Sequence, residues 1–494
     1  RGSVRITVGL FALTLLSRIP FRSQILYHWD SVNFAYAVRQ FSVAREQPQP
    51  PGYILYVWLC RLVDLLFGDA QTTMVCISIV ASALAVVALF RLGRSMFDRR
   101  TGRIAALFLA ASPLFWFYGE IALPHTLDTL LVIVSVWWLY ETMQGDHRYL
   151  YPAIAVMAVA GGVRQQTLVF LAPLLLFALR RVGWRRFLSA GVLGAVICLV
   201  WFIPLMTLSN GFTNYMSVMG AYNRRFLDTT SVFMGAGWRG IGRNVRKLAM
   251  YVLYGWNVAL VPGIAYAARR FWRREWSQRW EKPVFLILWI APSLFFYSAI
   301  HMGQQGLIFL FLPALLLISA VALTRLLTSR SRWLMAATAA LVGLNVATFC
   351  VVPEYPLGPG TQRLLTRATL VNSDHYYQDR FKAIEESFAP ESTAILADNW
   401  HHVEYYLPAY TRLKWAQNPS KRRIVTTPAE LGLQFDVDGQ AVIVIFDSEL
   451  SAFNESPASV RGLPLKHGCI LSYFVLGGDR TFHYGAGSFG VSKG

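Results

Sequence analysis

The feature that most constrains this chain is the recurrence, from its start to about Pro353, of apolar runs long enough to cross a bilayer. Each run needs roughly 17–25 apolar residues. Runs near 5–21, 71–92, 104–119, 127–143, 149–163, 165–180, 187–208, 247–268, 283–300, 305–324 and 333–352 meet that length or come close to it. A soluble core has no use for so many. After residue 352 no run is long enough, and the sequence turns mixed and strand-forming. The chain therefore divides into a membrane part, 1–352, and a C-terminal domain, 353–494. The first run lacks a small-residue cleavage site and reads as a first span.

Charge sets the topology. The whole chain carries +19, but residues 353–494 hold 13 Lys and Arg against 15 Asp and Glu. The excess therefore belongs to the membrane part. It gathers in short loops: Arg91 to Arg103, Arg180 to Arg186, Arg269 to Lys282, and Arg325 to Arg332. A basic patch for nucleic acid would not be dispersed this way. The stretch 52–67 decides the sidedness. If it spans, the four clusters fall outside; if it lies in the membrane plane as an amphipathic helix, all four fall inside, as the positive-inside bias requires. The second arrangement gives about eleven spans, a cytoplasmic N-terminus and an extracytoplasmic C-terminal domain. The expected fold is a polytopic α-helical membrane protein with in-plane helices, followed by a small α/β domain. Strands are expected at 392–398, at 441–447, around Ile424 and at 470–476, with an amphipathic segment from His401 to Tyr410.

The external loops 22–70 and 209–246 then hold the chemistry. Few acidic residues occur in the membrane part, and Asp30, Glu46, Asp64, Asp69, Glu120, Asp128 and Asp228 all fall at its outer side. A carboxylate beside apolar walls can serve as a general base, and Asp30 and Glu120 are the candidate catalytic residues. As plain structure, Asp30 would cap the helix starting near Ser31, and Asp128 would cap or pair locally. Arg164, between two apolar runs, is a costly charge near membrane depth and suits a phosphate. His125, where Pro124 breaks the chain, adds polar groups on the same side, as do His301 and Gln304. The loop 209–246, with Arg224 and Arg225, is basic although external. It reads either as a site for anionic headgroups or as a solvated interfacial helix.

These residues resemble the GT-C superfamily of membrane glycosyltransferases, in the branch of protein O-mannosyltransferases and lipid A aminoarabinose transferases. The resemblance rests on Asp30 in HWDSVNFAYAVRQFS, the turn QPQPPGYILYVWL with Tyr53, the segment ending in YGEIALPHTLD, and HMGQQGLIFLFLPALLL. It covers about residues 5–350. It departs from the pattern at Ser31, where many relatives have a second acid, and near Gly162, where Arg164 stands in place of a lysine. The resemblance implies a polyprenyl-phosphate-linked sugar donor and inverting transfer to a protein, lipid or glycan acceptor. Asp30 would be the base, Glu120, His125 and Asp128 would orient substrate, and Arg164, Arg224, Arg225 and His301 would face the lipid phosphate. A divalent cation is left open, since no ligand spacing argues for one. Bacterial cytoplasmic membrane is the expected location. Two other classes compete: a transporter or flippase of a lipid-linked substrate, and a non-enzymatic scaffold displaying the C-terminal domain.

Overall fold

The computed structural model describes residues 2–273, 280–328, 330–355, 363–417, 429–433, 442–447, 460–475, 482–486 and 489–493. It divides into two compact units. One comprises 1–23 and 34–370, the other 24–33 and 371–494. The second unit thus begins after Leu370 and also takes in the ten residues 24–33.

The first unit is helical. Its helices are α1 (Gly2–Arg18), α2 (Trp29–Arg39, whose first residues belong to the second unit), α3 (Ile54–Phe67), α4 (Ala70–Met96), α5 (Arg99–Ala111) and α6 (Pro113–Tyr118). There follow α7 (His125–Met143), α8 (Leu150–Val163), α9 (Gln165–Leu179), α10 (Trp184–Leu208) and α11 (Phe212–Thr230). The rest are α12 (Gly237–Trp256), α13 (Leu260–Arg273), α14 (Glu281–Ala299), α15 (Leu312–Leu326) and α16 (Ser331–Val351). Of the 25 residues of α10, only Ala190, Trp201 and Leu205 are buried, while Val192, Val196, Val200 and Ile203 are exposed. An apolar helix that keeps its whole flank uncovered is stable only in hydrocarbon. The chain is an integral membrane protein.

The interior is built on α4, which packs against α5 and α7. Glycine makes the α4–α5 approach possible. A Cβ placed on Gly93 would lie 2.7 Å from the Gly102 Cα, so neither position accepts a side chain without parting the helices. The basic ends gather on one another as the charge argument expects. Arg180 and Arg181 both pair with Glu281, at 2.7 and 2.8 Å, Lys282 donates to the Met96 carbonyl, and Arg94 donates to Ser3.

Three expected spans are interrupted. The run 104–119 breaks at Ser112–Pro113 into α5 and α6, because Pro113 has no amide to donate and clashes with a continuing helix. The run 247–268 breaks at Asn257, whose φ of +46° stops α12 before α13 begins. The run 305–324 opens with a 3₁₀ turn, Gln305–Leu310, before α15. The freed backbone groups find partners: the Ser112 hydroxyl donates to the Gly255 carbonyl at 2.6 Å, joining the first two breaks. Asn257 donates to Thr348 at 3.0 Å.

In the second unit, α17 (Arg367–Ser387) precedes β1 (Thr393–Ala397), α18 (Trp400–Tyr406), β2 (Thr411–Gln417), β3 (Ala429–Leu433) and β4 (Val442–Ile445). Then come β5 (Val460–Pro464), β6 (Ile470–Val475), β7 (Phe482–Ala486) and β8 (Phe489–Lys493). Six strands form one sheet in the order β5-β6-β4-β1-β2-β8, and β3 pairs with β7. The strand β1 is parallel to both its neighbours, β2 and β4. Its all-buried sequence Thr-Ala-Ile-Leu-Ala suits a strand covered on both faces. The core joins Ile395 and Val444 to Tyr377, Phe381 and Ile384 of α17. The strand expected around Ile424 lies outside the described residues.

Candidate functional site

In the first unit, three separate stretches of the chain converge. The Pro-rich turn enters α3 through Gly52, at φ +103°, and Tyr53, at φ +42°. The φ of Gly52 favours glycine, and a Cβ there would also crowd the end of the Leu205 side chain at 2.8 Å. The Pro51 carbonyl accepts from the Tyr215 hydroxyl of α11 at 3.0 Å, and that hydroxyl accepts from Gln165 at 3.1 Å. Arg225 of α11 pairs with Glu46 at 2.5 Å. So α11, the turn and the start of α9 hold one another, while Arg224 remains exposed.

Next to Gln165, Arg164 occupies the extended residue between α8 and α9. It is buried. Its guanidinium donates to Asp128 at 3.4 Å, to Gln166 at 3.2 Å and to the Tyr297 hydroxyl at 3.3 Å. Thr167 donates to the other Asp128 oxygen at 2.7 Å. Asp128 therefore pairs with Arg164 and does not cap α7, which starts at His125 after Pro124. A buried charge pair of this kind is strongly disrupted when one partner is lost. The contacts to Arg164 are long for charge-assisted bonds, which average below 3 Å.

Around this pair the other candidates are placed more variously. The His125 ring tilts against Tyr118 at 5.0 Å between centroids, and Gly306 leaves room for it: a Cβ there would lie 2.2 Å from His125. Glu120 is fully buried, accepting from the Trp116 indole at 2.6 Å, and its backbone carbonyl accepts from Ser23. Arg18 stacks over the same indole at 4.2 Å. Glu120 is thus enclosed by protein and suited to positioning the loop. His301 shares a hydrogen bond with Thr230 at 3.1 Å, and burial, with Lys247 nearby, pushes its pKa down to about 4. It is a neutral group at ordinary pH. Gln304 stands in the same turn, half-buried, and its neighbour Gln305 donates to the Arg363 carbonyl at 3.1 Å. The contributions of Tyr215, Tyr297 and Thr167 were not legible in the sequence, since nothing distinguishes them from other polar residues in apolar helices.

Asp30 lies in the second unit, in the first turn of α2, and only 9% of its surface is exposed. His28 caps the start of α2. The Asp30 amide donates to His28 Nδ1 at 3.1 Å, and the Ser31 amide donates to the His28 carbonyl at 2.8 Å. An Nδ1 that accepts is unprotonated, and burial pushes the His28 pKa down to about 4. The Asp30 carboxylate, 3.6 Å from that nitrogen, therefore faces a neutral ring.

In the same unit, Asp447 lies two residues beyond the end of β4 and is buried. Its carboxylate accepts the Asp398 and Asn399 amides at 2.6 and 3.1 Å, Asn399 Nδ2 at 2.6 Å and the Tyr376 hydroxyl at 3.2 Å. Of the residues His401, His402 and Glu404, His402 donates to the Leu26 carbonyl at 2.7 Å and Glu404 pairs with Arg412 at 3.2 Å.

Comparison with known proteins adds the context. A family model described as dolichyl-phosphate-mannose-protein mannosyltransferase matches residues 48–207, which include Tyr53, Glu120, His125, Asp128 and Arg164. The undecaprenyl phosphate-alpha-4-amino-4-deoxy-L-arabinose arabinosyl transferases of Pseudomonas paraeruginosa and Pseudomonas aeruginosa are 24% and 25% identical to it over 254 and 256 residues. Those alignments take in 49% of this chain and 44% of each relative, so the chain spans less than half the length of the curated relatives it matches. Among solved structures, ArnT from Cupriavidus metallidurans bound to undecaprenyl phosphate superposes with a TM-score of 0.60 at 13% identity, over 96% of this chain and 98% of that one. The Archaeoglobus fulgidus oligosaccharyltransferase in complex with zinc and sulfate gives 0.51 at 12%, over 94% and 72%. At such identities the solved structures speak for the fold. The chain has that fold, and its residues 48–207 are similar to the dolichyl-phosphate-mannose-protein mannosyltransferase family.

Proposed function

We propose that this protein transfers a sugar from a polyprenyl-phosphate-linked donor to an acceptor hydroxyl on the extracytoplasmic face of a bacterial cytoplasmic membrane. The observation that carries the reading is Asp30. It is a nearly buried carboxylate beside a neutral histidine, on a fold shared with a transferase that binds undecaprenyl phosphate. It takes the proton of the acceptor hydroxyl as that oxygen attacks the anomeric carbon. The bond from that carbon to the phosphate oxygen breaks, polyprenyl phosphate leaves, and the anomeric configuration inverts.

Arg164 stabilises the departing phosphate. Its five donors exceed those its long contacts to Asp128, Gln166 and Tyr297 occupy. Asp128 holds the guanidinium in place, and Tyr53, His125, His301 and Gln304 line the donor side. Arg224 on α11 supplies positive charge for the anionic headgroup, and Arg225 does so only if the headgroup displaces Glu46. About eleven spans, with the N-terminus inside, put these groups on the outer face.

A transporter of lipid-linked substrate is the rival, and helix breaks like those at Ser112 and Asn257 would suit it. Neither break carries a charged residue, and both have hydrogen bonds that close them. The test is to offer purified protein a panel of polyprenyl-phosphate sugars with an outer-membrane or periplasmic extract as acceptor. The product's anomeric configuration is then read by NMR. Inverted product supports the proposal. Retained configuration contradicts a single displacement by an acceptor activated by Asp30.

A further inference from the structure

The second unit carries a row of aromatic rings that begins one residue before Asp30. Trp29 opens α2, and 45% of its surface is exposed. Its ring meets His401 edge to face, 5.7 Å between centroids, and His401 lies flat on Trp400 at 3.6 Å. Trp400 and His401 are half-buried, and Asp398, just before them, is exposed.

The strand β1 sits between β2 and β4, both parallel to it, and the turn that leaves its carboxyl end carries Asp398 and leads into α18. Open α/β sheets use such carboxyl ends for ligands. Asp447 consolidates that turn through the amides of Asp398 and Asn399. The segment bearing Trp29 is fixed here as well. Gln24 and Ile25 donate their amides to Asp374 at 2.9 and 3.1 Å, and Leu26 donates to the Tyr406 hydroxyl at 3.0 Å. His402 donates back to the Leu26 carbonyl. These contacts order the row before anything binds, which lowers the entropic cost of binding.

We infer that Trp29, His401, Trp400 and Asp398 form the acceptor subsite, and that the acceptor is a saccharide. The inference rests on the reading of Asp30 as base. Flat aromatic faces suit the C–H faces of a pyranose ring, and a carboxylate at the edge accepts hydroxyl hydrogen bonds. A peptide would instead be gripped through its backbone at an open strand edge or in a groove for an extended helix, and a lipid chain by aliphatic walls. Trp29 and Asp30 share the first turn of α2, so the aromatic row begins in the same turn as the carboxylate.

The experiment is saturation-transfer NMR on the full chain in detergent micelles, with maltose, cellobiose and chitobiose as probes and a serine-containing hexapeptide as competitor. Wild type is expected to transfer saturation to the pyranose ring protons of at least one disaccharide. Trp29→Ala should weaken that binding about tenfold, while Trp29→Phe, which keeps an aromatic face and guards against misfolding, should keep most of it. Equal binding by wild type and Trp29→Ala overturns the inference, as does saturation of the peptide but of no sugar. Asp30→Asn separates the two claims. If that variant still transfers sugar, the base assignment falls while the subsite stands. If it binds disaccharide but does not transfer, both stand.

Discussion

Arg164 and Asp128 face each other at 3.4 Å with side chains only 7% and 5% exposed, and they join the start of α9 to the start of α7. Thr167 and Tyr297 complete the cluster, so α7, α9 and α14 meet in one buried polar knot.

That pairing has a testable cost. Asp128→Leu leaves the guanidinium buried without its counter-charge, and a loss of about 3–5 kcal/mol is expected. The double variant Asp128→Leu, Arg164→Met removes both charges and should recover much of that stability without recovering activity. Thermal unfolding of the two variants checks this. Equal destabilisation would mean that the pair is not coupled.

Gly306 makes a sharper steric prediction. A methyl group there falls 2.2 Å from the His125 ring and 2.6 Å from Tyr118, so these side chains must shift to admit it. Gly306→Ala should displace His125, lowering transfer at least tenfold with little change in Tm. His125→Ala should then add little to the loss, as expected for two changes that act through one contact.

Tyr215 is the tie between α11 and the Pro-rich turn. Tyr215→Phe deletes the bonds to Pro51 and Gln165, and a loss of roughly 1 kcal/mol is expected. If the tie positions the basic helix over the donor, KM for the lipid donor rises while kcat changes less. A fall in kcat alone would contradict that role.

The histidine pinned to Leu26 gives the C-terminal unit a pH dependence. Burial lowers the His402 pKa from 6.5 to about 4, so between those values the unfolded chain binds a proton that the folded one does not. Stability of this unit is therefore greatest above about pH 6.5 and falls as pH drops toward 4. The span corresponds to up to about 3 kcal/mol. Hydrogen exchange of the β1 and β4 amides in the full chain, followed from pH 7 to pH 4.5, reads the loss. His402→Gln, which keeps a donor without a titrating group, should flatten the profile; an unchanged profile would assign the effect elsewhere.

How much of this was legible in the sequence differs from place to place. Helix locations follow from apolar length and charged loops, and α4, α7 and α10 lie close to where those rules put them. The breaks were hidden because Ser112–Pro113 and Asn257 are flanked on both sides by apolar residues, so hydropathy runs straight through them. Asp128 and Arg164 were visible as misplaced charges, but their pairing was not, since 36 residues separate them. The capping role of His28 was invisible for a different reason: the residue types expected at a helix start favoured Asp30. The inclusion of residues 24–33 in the C-terminal unit depends on single hydrogen bonds such as that to Asp374, for which no periodicity gives a signal.

The central claim is that Asp30 is the base of a transfer reaction, and single-turnover kinetics tests it most directly. Wild type, Asp30→Asn and Asp30→Glu would each be mixed in excess with a radiolabelled polyprenyl-phosphate sugar and acceptor extract, and label leaving the lipid followed over time. The proposal predicts at least a thousandfold slower release for Asp30→Asn, with donor binding retained and partial recovery by Asp30→Glu. Release by Asp30→Asn at the wild-type rate would contradict it.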